Sequence, residues 1–294
     1  MSEIRTYANQ AEYLDAYASE TELKKAQMKE RHKNGRRGVS VLADKDEMIA
    51  NTVHQHVIYI NAMAQRFGRR YGHTFELPDY ATVVANGGTG MYARVLGLTP
   101  ERWEEIHERE RSVRRVITGA PTYTSNLAAQ MAIVDERSDF LGYLTATPVG
   151  VHRPYQEGQM PRFYDSQRYA EEDIYGRGLP QEPVVLRPAT IAGKDTAPWK
   201  TGFMSEIQSV NPRKPVILID DSLSTAKRIM LENEQRESGT VPLFQIVMTQ
   251  GTLTEAKIKS GEFKAQHDLG IYLADWEELP DVISEIENQW NPQQ

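Results

Sequence analysis

The sequence contains no cysteine and no long hydrophobic run. Without cysteine the chain forms no disulfide and offers no thiolate, so any bound metal must have oxygen or nitrogen ligands. A membrane-spanning helix needs about 20 consecutive apolar residues, and the acidic, polar start MSEIRTYANQAEYLDAYASE lacks the apolar centre of a signal peptide. We therefore expect a cytoplasmic protein that does not insert into a membrane.

Positive charge is also scarce. Lys and Arg number 34 against 41 Asp and Glu, and the net charge of -7 opposes binding to nucleic acid or to anionic membranes. The 294 residues, of which 39% are hydrophobic and 26% charged, are typical of a globular protein of about two domains. These features leave the oligomeric state open.

The distribution of charged and apolar residues changes along the chain. Residues 1–37 are dense in charge and predict a helical arm that docks loosely. Residues 53–139 show helical periodicity without convincing strands. Residues 38–52 and 140–294 contain five short apolar runs, which predict buried parallel strands with helices between them: GVSVLAD, FLGYLTATP, PVVLRP, KPVILIDDS and LFQIVMTQG. We therefore predict an α/β core with a Rossmann-like parallel sheet, into which an all-helical domain is inserted.

Acidic pairs end two of these runs. Asp44 and Asp46 close the first run, and Asp220 and Asp221 close the fourth. Because the carboxyl ends of parallel strands meet at one edge of a sheet, we expect these side chains to converge. Crowded carboxylates repel one another unless a cation compensates, and oxygen ligands favour a hard divalent cation. The sequence therefore predicts a Mg²⁺ site.

A hydroxyl and an amine complete this set. Thr145 ends the second run, and Lys200 begins a helical stretch twenty residues before Asp220. Thr147 competes with Thr145, which we prefer because it directly follows the apolar strand. Lys214 competes with Lys200, but Lys214 opens the strand that ends at Asp220 and should lie roughly 20 Å away, at the opposite edge.

In order, LADKDE, YLTATP, Lys200 and ILIDDS resemble the four motifs of the haloacid dehalogenase-like (HAD) superfamily of phosphatases and phosphotransferases. The resemblance covers about residues 38–52 and 140–290, and residues 53–139 lie where some members carry a helical cap. It departs from the family after Asp46, where many members have a threonine or valine two positions on and this chain has Met48. The resemblance implies that Asp44 is the nucleophile, Asp46 the general acid and base and a metal ligand through its carbonyl, Thr145 and Lys200 the phosphate-binding groups, and Asp220 and Asp221 metal ligands.

Other residues are candidates for substrate binding. The glycine-rich segment NGGTGMYARVLG of the expected cap contains Tyr92 and Arg94, which could contact the leaving group, and Arg187 ends a further predicted strand. His54 and His56 follow the first motif, but residues two apart on a helix point in different directions, so surface or hinge roles suit them better than metal binding.

These observations predict a Mg²⁺-dependent phosphohydrolase that acts on a small phosphorylated metabolite through an aspartyl-phosphate intermediate. Nucleoside monophosphates and sugar phosphates are the obvious substrate classes. One alternative is a phosphomutase or phosphotransferase on the same scaffold. Another is a non-catalytic protein that binds a partner through the arm or the cap, although the presence of both Asp44 and Asp46 argues against it.

Overall fold

The structure is a computed structural model that describes residues 10–46, 48–49, 51–72, 74–85, 97–104, 122–148, 151–152, 164–188, 191, 196–237, 239–250 and 252–290. Its helices are α1 (Gln10–Asn34), α2 (Thr52–Tyr71), α3 (Tyr80–Ala85), α4 (Leu127–Arg137), α5 (Ser166–Tyr175), α6 (Ala197–Gln208), α7 (Leu223–Glu234), α8 (Thr252–Lys259) and α9 (Leu279–Trp290). Its strands are β1 (Ser40–Asp44), β2 (Asp139–Pro148), β3 (Val151–His152), β4 (Tyr164–Asp165), β5 (Val184–Arg187), β6 (Val216–Asp220), β7 (Leu243–Met248) and β8 (Ile271–Ala274). Among these helices, none is long and apolar enough to cross a membrane.

Six strands form one parallel sheet in the order β5-β2-β1-β6-β7-β8, and β3 pairs with β4 in a short antiparallel ribbon. The five apolar runs of the sequence are β1, β2, β5, β6 and β7, which confirms the predicted α/β fold class. The strand β8, with the sequence IYLA, was not predicted.

Helices cover both faces of the sheet because successive side chains of each strand point to opposite faces. In β1, Val41 and Ala43 pack in one apolar layer and Leu42 packs in the other. The first layer also contains side chains of α4, α5 and α9, and the second contains side chains of α6 and α7. The parallel sheet is therefore buried on both sides, and its strand ends are left to form a site.

The N-terminal helix α1 packs tightly, contrary to the expectation of a loosely docked arm. Tyr13 and Met28 are each 1% exposed and lie in opposite apolar layers. Between them, the Tyr17 hydroxyl donates to the carbonyl of Leu186 at 2.7 Å and accepts from its amide at 2.9 Å. The helix therefore runs around the outer edge of β5. The buried side chains of α1 do not form one apolar stripe, because the tyrosines and Met28 pack in different layers with a charged stretch between them, and the sequence pattern therefore did not reveal this packing.

The opposite edge of the sheet is also occupied. The amide of Ile271 in β8 donates to the carbonyl of Gln266 at 3.0 Å, and the amide of Gln266 donates back to Ile271 at 2.9 Å. Residues 267–270, a 3-10 turn that ends at Gly270, bring Gln266 back to the strand. A short antiparallel bridge therefore covers the start of β8.

The described helices between β1 and β2 divide into two groups. Helices α2 and α3 form a small apolar cluster of their own, built on Val57, Ile60, Ala64 and Val83. Helix α4 instead places Leu127, Met131 and Val134 in the main apolar layer of the sheet. The predicted insert, residues 53–139, thus includes one helix that packs with the α/β core. The division of the chain into arm, core and cap remains a prediction.

A buried polar cluster lies where α1 meets the start of β1. The side chain of His32 is fully buried; its Nε2 lies 3.2 Å from the carbonyl of Asn211 and its Nδ1 lies 2.9 Å from the hydroxyl of Ser40. Because a carbonyl can only accept, the neutral ring donates from Nε2 and accepts at Nδ1. Burial lowers the pKa of His32 to about 4, and the nearby ammonium of Lys214 adds to the decrease.

We expect this histidine to make folding stability sensitive to acid. Its pKa is about 6.5 when unfolded and about 4 when folded, so the unfolded chain binds more protons between these pH values. Its contribution to the free energy of unfolding is present above pH 6.5 and lost towards pH 4, by about 3 kcal/mol in total. Urea unfolding at a series of pH values should show a shallower decline for His32→Gln than for the wild type. Parallel declines for the two proteins would contradict this assignment.

Candidate active site

The ends of β1 and β6 bring two aspartates together. These strands are neighbours in register, with Ala43 opposite Ile219, so that Asp44 and Asp220 end them side by side. Asp44 is 3% exposed and Asp220 is fully buried. After β6, the amide of Ser222 donates to Oδ1 of Asp220 at 3.1 Å, and the Ser222 side chain caps the first turn of α7. The turn that begins α7 therefore holds the Asp220 carboxylate at the edge of the sheet.

Lys200 lies between these carboxylates. Its Nζ is 3.0 Å from Oδ2 of Asp44 and 2.8 Å from Oδ2 of Asp220, and the residue is 1% exposed. Helix α6 carries Lys200 in its first turn, which begins at Ala197 and Pro198. The structure thus brings together three residues that the sequence predicted for one site. The competing Lys214 pairs with Asp139 at the start of β2, at the opposite edge.

One ammonium between two carboxylates leaves an excess of negative charge. Burial raises the pKa of the Asp44 carboxyl well above its usual value; Lys200 opposes this rise, and Asp220 and Asp46 add to it. Burial alone would lower the pKa of the Lys200 ammonium, but Asp220 and Asp44 outweigh it and raise that pKa, so Lys200 stays charged. The site therefore favours the entry of a further cation.

The donor set fits a divalent metal ion. Carboxylate oxygens of Asp44, Asp220 and Asp221 lie within 4.8 Å of one another. Oδ1 of Asp44 is buried and has no hydrogen-bond partner among the described residues, and leaving a buried acceptor in this state is costly. Three carboxylates with such an oxygen are suitable ligands for a hard cation.

Asp46 faces a pair of threonines at the end of β2. Its Oδ2 accepts hydrogen bonds from the hydroxyls of Thr145 and Thr147, each at 3.3 Å, and these hydroxyls are 3.1 Å apart. Thr145 is fully buried, whereas Thr147 is partly exposed. The preference for Thr145 over Thr147 therefore stays a prediction, since both hydroxyls reach the same carboxylate oxygen.

The remaining predicted residues lie farther out or outside the described chain. Arg187 ends β5 at the same edge of the sheet, two strands from Asp44. Tyr92 and Arg94 lie outside the described residues. At the start of α2, the ring of His54 packs edge to face on Tyr80, with centroids 5.0 Å apart, as a structural role would require.

Some site residues were not predicted. Lys45 places its Nζ 3.5 Å from Oδ1 of Asp46 and 3.0 Å from Oδ2 of Asp173 in α5. The hydroxyl of Thr254 in α8 donates to the carbonyl of Asp221 at 2.7 Å. These residues belong to no spacing pattern, although the lysine between Asp44 and Asp46 was a visible signal.

A cleft of about 450 Å³ lies away from these residues, between α1 and the starts of β2 and β5. Lys24 and Arg31 line it, but Lys24 pairs with Glu20 and Glu171, and Arg31 pairs with Asp135 and Glu182. Since these cations already have carboxylate partners, the cleft offers no free charge to a ligand. The chemistry is concentrated at the carboxyl edge of the sheet instead.

No protein-family model matches the chain, and no curated protein matches it significantly. Solved structures do match. A "putative phosphatase" from Clostridium difficile has a TM-score of 0.54 and 12% identity, over 84% of this chain and 99% of its own. A haloacid dehalogenase-like family hydrolase from Streptococcus pneumoniae has a TM-score of 0.47 and 10% identity, over 83% of this chain and 98% of its own. A beta-phosphoglucomutase from Clostridium difficile has a TM-score of 0.45 and 12% identity, over 88% of this chain and 100% of its own.

The match to the first of these structures shows a shared fold. The chain therefore shares the α/β fold of that structure, as the resemblance of the four motifs led us to expect. The family resemblance seen in the sequence is thus confirmed at the level of the fold. The acidic cluster lies at the carboxyl edge of the parallel sheet.

Proposed function

We propose that the protein is a Mg²⁺-dependent phosphohydrolase that cleaves a small phosphomonoester through an aspartyl-phosphate intermediate. One observation carries the proposal: the buried Asp44 carboxylate lies against Lys200 at a cluster of acids, with an oxygen that lacks a partner among the described residues. A carboxylate next to a fixed cation suits nucleophilic attack on an anionic phosphoryl group. The fold shared with phosphatases supports this reading.

In the first half-reaction, Asp44 attacks phosphorus and forms a bond between its carboxylate oxygen and the phosphoryl group. Lys200 screens the negative charge of nucleophile and substrate, and a threonine hydroxyl of the β2 end donates to a phosphoryl oxygen. Asp46, when protonated, gives its proton to the leaving oxygen as the bond to phosphorus breaks. The product alcohol then departs, and the phosphoryl group remains on Asp44.

In the second half-reaction, Asp46 acts as a base. Its side chain is 27% exposed, and its carboxylate can accept a proton from the water that attacks the aspartyl phosphate. Inorganic phosphate leaves, and both carboxylates return to their starting states. The threonine hydroxyl that does not bind the phosphoryl group keeps its hydrogen bond to Asp46 and helps to hold this carboxylate in place for both transfers.

Asp44, Asp220, Asp221 and the backbone carbonyl of Asp46 would hold the Mg²⁺. When bound, this ion would neutralise phosphoryl charge and polarise the reacting group. The fit rests on the donor chemistry, because hard oxygen ligands in a group of three carboxylates suit this ion.

Substrate selection belongs, in this proposal, to the helical insert. Helices α2 and α3 have their own apolar cluster and follow directly after the nucleophile strand β1. The side chain of Asn51 links the start of α2 to Tyr80 of α3 through a hydrogen bond of 2.9 Å. Helices that pack with each other and follow the nucleophile strand in the chain suit a cap that closes over a small metabolite and excludes water. We also propose a cytoplasmic location.

A panel of phosphorylated metabolites tests the proposal. We expect release of inorganic phosphate from at least one small phosphomonoester, with Mg²⁺ required: exhaustive chelation should remove activity, and added Mg²⁺ should restore it. Ca²⁺ should restore little, because it is larger and less strictly octahedral. Phosphate release with a colorimetric assay, and chromatography for any phosphorylated acceptor, would separate hydrolysis from phosphoryl transfer.

Two results would contradict the proposal. Full activity after exhaustive chelation would exclude the metal dependence. Quantitative appearance of the phosphoryl group on a second metabolite, without phosphate release, would identify a phosphotransferase or phosphomutase instead.

A further inference from the structure

A chain of alternating charges leads away from Asp46. Lys45 Nζ lies 3.5 Å from Oδ1 of Asp46 and 3.0 Å from Oδ2 of Asp173. The other oxygen of Asp173 accepts from a terminal nitrogen of Arg177 at 2.9 Å. The side chains of Lys45, Asp173 and Arg177 are 12%, 8% and 13% exposed. A carboxylate of the site is thus connected through a largely buried lysine to helix α5 and the turn that follows it.

Packing alone does not explain this arrangement. Removing charged groups from water is costly, and apolar side chains of similar size would usually fill such a space at no loss of stability. A role in holding Asp46 does explain the arrangement, because Lys45 and the two threonines together contact both carboxylate oxygens of Asp46. The threonine hydroxyls of β2 donate to Oδ2, and the ammonium of Lys45 lies at Oδ1. A carboxylate held on both oxygens cannot rotate freely about its terminal bond.

We propose that Lys45 is a positioning residue, which orients the Asp46 carboxylate for proton transfer and is itself anchored to α5 by Asp173. The inference rests on the proposed function, in which Asp46 is the general acid and base. Lys45 does not touch the reacting atoms in this scheme; its effect passes through Asp46. Asp173, which is itself paired with Arg177, fixes the position of the Lys45 side chain. Helix α5 therefore supports the orientation of Asp46 through Lys45.

Positioning of a general acid has a signature that a merely structural role lacks. Protonation of the leaving oxygen matters most when the leaving group is a poor one, such as an alkoxide, and little when it is a stabilised phenolate. Loss of Lys45 should therefore reduce kcat/KM strongly for an alkyl phosphate and weakly for p-nitrophenyl phosphate. A general loss of structure would reduce both by the same factor.

The experiment compares Lys45→Met with the wild type on these two substrates, with Mg²⁺ present. We expect kcat/KM for the alkyl phosphate to fall at least about 10-fold, and that for p-nitrophenyl phosphate to fall less than about 3-fold, because acid catalysis contributes about 10² to 10⁴-fold in total. Lys45→Arg, which keeps the charge, should recover most of the loss. Asp173→Asn should also reduce kcat/KM more for the alkyl phosphate than for p-nitrophenyl phosphate, but by a smaller factor than Lys45→Met. If Lys45→Met does not fold, this variant tests the inference instead.

Lys214→Met is the matched control. Lys214 is also a buried lysine paired with an aspartate, Asp139, but it lies at the opposite edge of the sheet. Its loss should leave the ratio of the two kcat/KM values unchanged at a temperature where the variant is folded.

Each outcome is decisive. Selective loss on the alkyl phosphate supports the inference. Equal losses on both substrates, or no loss, would overturn the inference and leave the proposed function standing. A folded, Mg²⁺-loaded wild type that hydrolyses neither these substrates nor any phosphomonoester of the panel would overturn the proposed function and this inference with it.

Discussion

Replacing Asp44 with Asn should reduce phosphatase activity at least about 10³-fold while the protein stays folded. The amide keeps the shape of the side chain but cannot attack phosphorus. Burial raises the pKa of the Asp44 carboxyl, so holding this group ionised at neutral pH opposes folding, and a neutral amide removes that cost. We therefore expect the variant to be at least as stable as the wild type when no metal is added.

Phosphate release and urea unfolding, measured on the same samples, test both expectations. Asp281→Asn is the matched control, because the Asp281 side chain is 88% exposed and lies in the first turn of α9, outside the site. That control should retain wild-type activity. A folded Asp44→Asn protein with substantial turnover would remove Asp44 from the role of nucleophile.

Replacing Lys200 with Met should destabilise the fold as well as abolish activity. The change leaves Asp44 and Asp220 buried against each other without their shared ammonium. Breaking a buried ion pair by removing one partner costs about 3 to 5 kcal/mol, and methionine has a similar volume, so little of the loss would come from packing. Urea unfolding in the absence of divalent metal measures the free energy directly.

A second variant separates charge from packing. The double variant combines Lys200→Met with Asp44→Asn. It replaces one of the two unpaired buried carboxylates with a neutral amide, so part of the lost free energy of unfolding should be recovered. If the double variant is no more stable than Lys200→Met alone, repulsion between the carboxylates is not the cause of the loss.

The sequence was most informative where one apolar run was long enough to be a strand and ended in a polar residue. This signal located β1, β2, β5, β6 and β7, and their parallel arrangement placed Asp44 and Asp220 at one edge. The choice of Lys200 rested on its resemblance to the third motif and on the position of Lys214 at the opposite end of the strand that ends at Asp220. These inferences succeeded because a doubly covered parallel sheet imposes continuous apolar runs on its strands.

Other features depend on tertiary contacts that leave little local pattern. The strand β8 has four residues, and its pairing with β7 defines it. In helix α1, Tyr13 and Tyr17 lie one turn apart, but Met28 follows a charged stretch and packs in the opposite apolar layer, so no single apolar stripe marks the helix. One of the two partners of Lys45, Asp173, lies more than a hundred positions away in the chain, and nothing near Asp173 indicates a link to the first motif.

The contact between Tyr17 and β5 has a consequence for the solubility of the chain. An edge strand with unsatisfied amides and carbonyls is a template for pairing with another molecule, which can continue into aggregates. Here the outward backbone groups of Leu186 bond to a side chain, Lys24 donates to the carbonyl of Val184, and Gln266 occupies the start of β8 at the far edge. The charged N-terminal helix thus protects the outer edge of β5 from intermolecular pairing, and shortening this helix would expose the backbone groups of that edge.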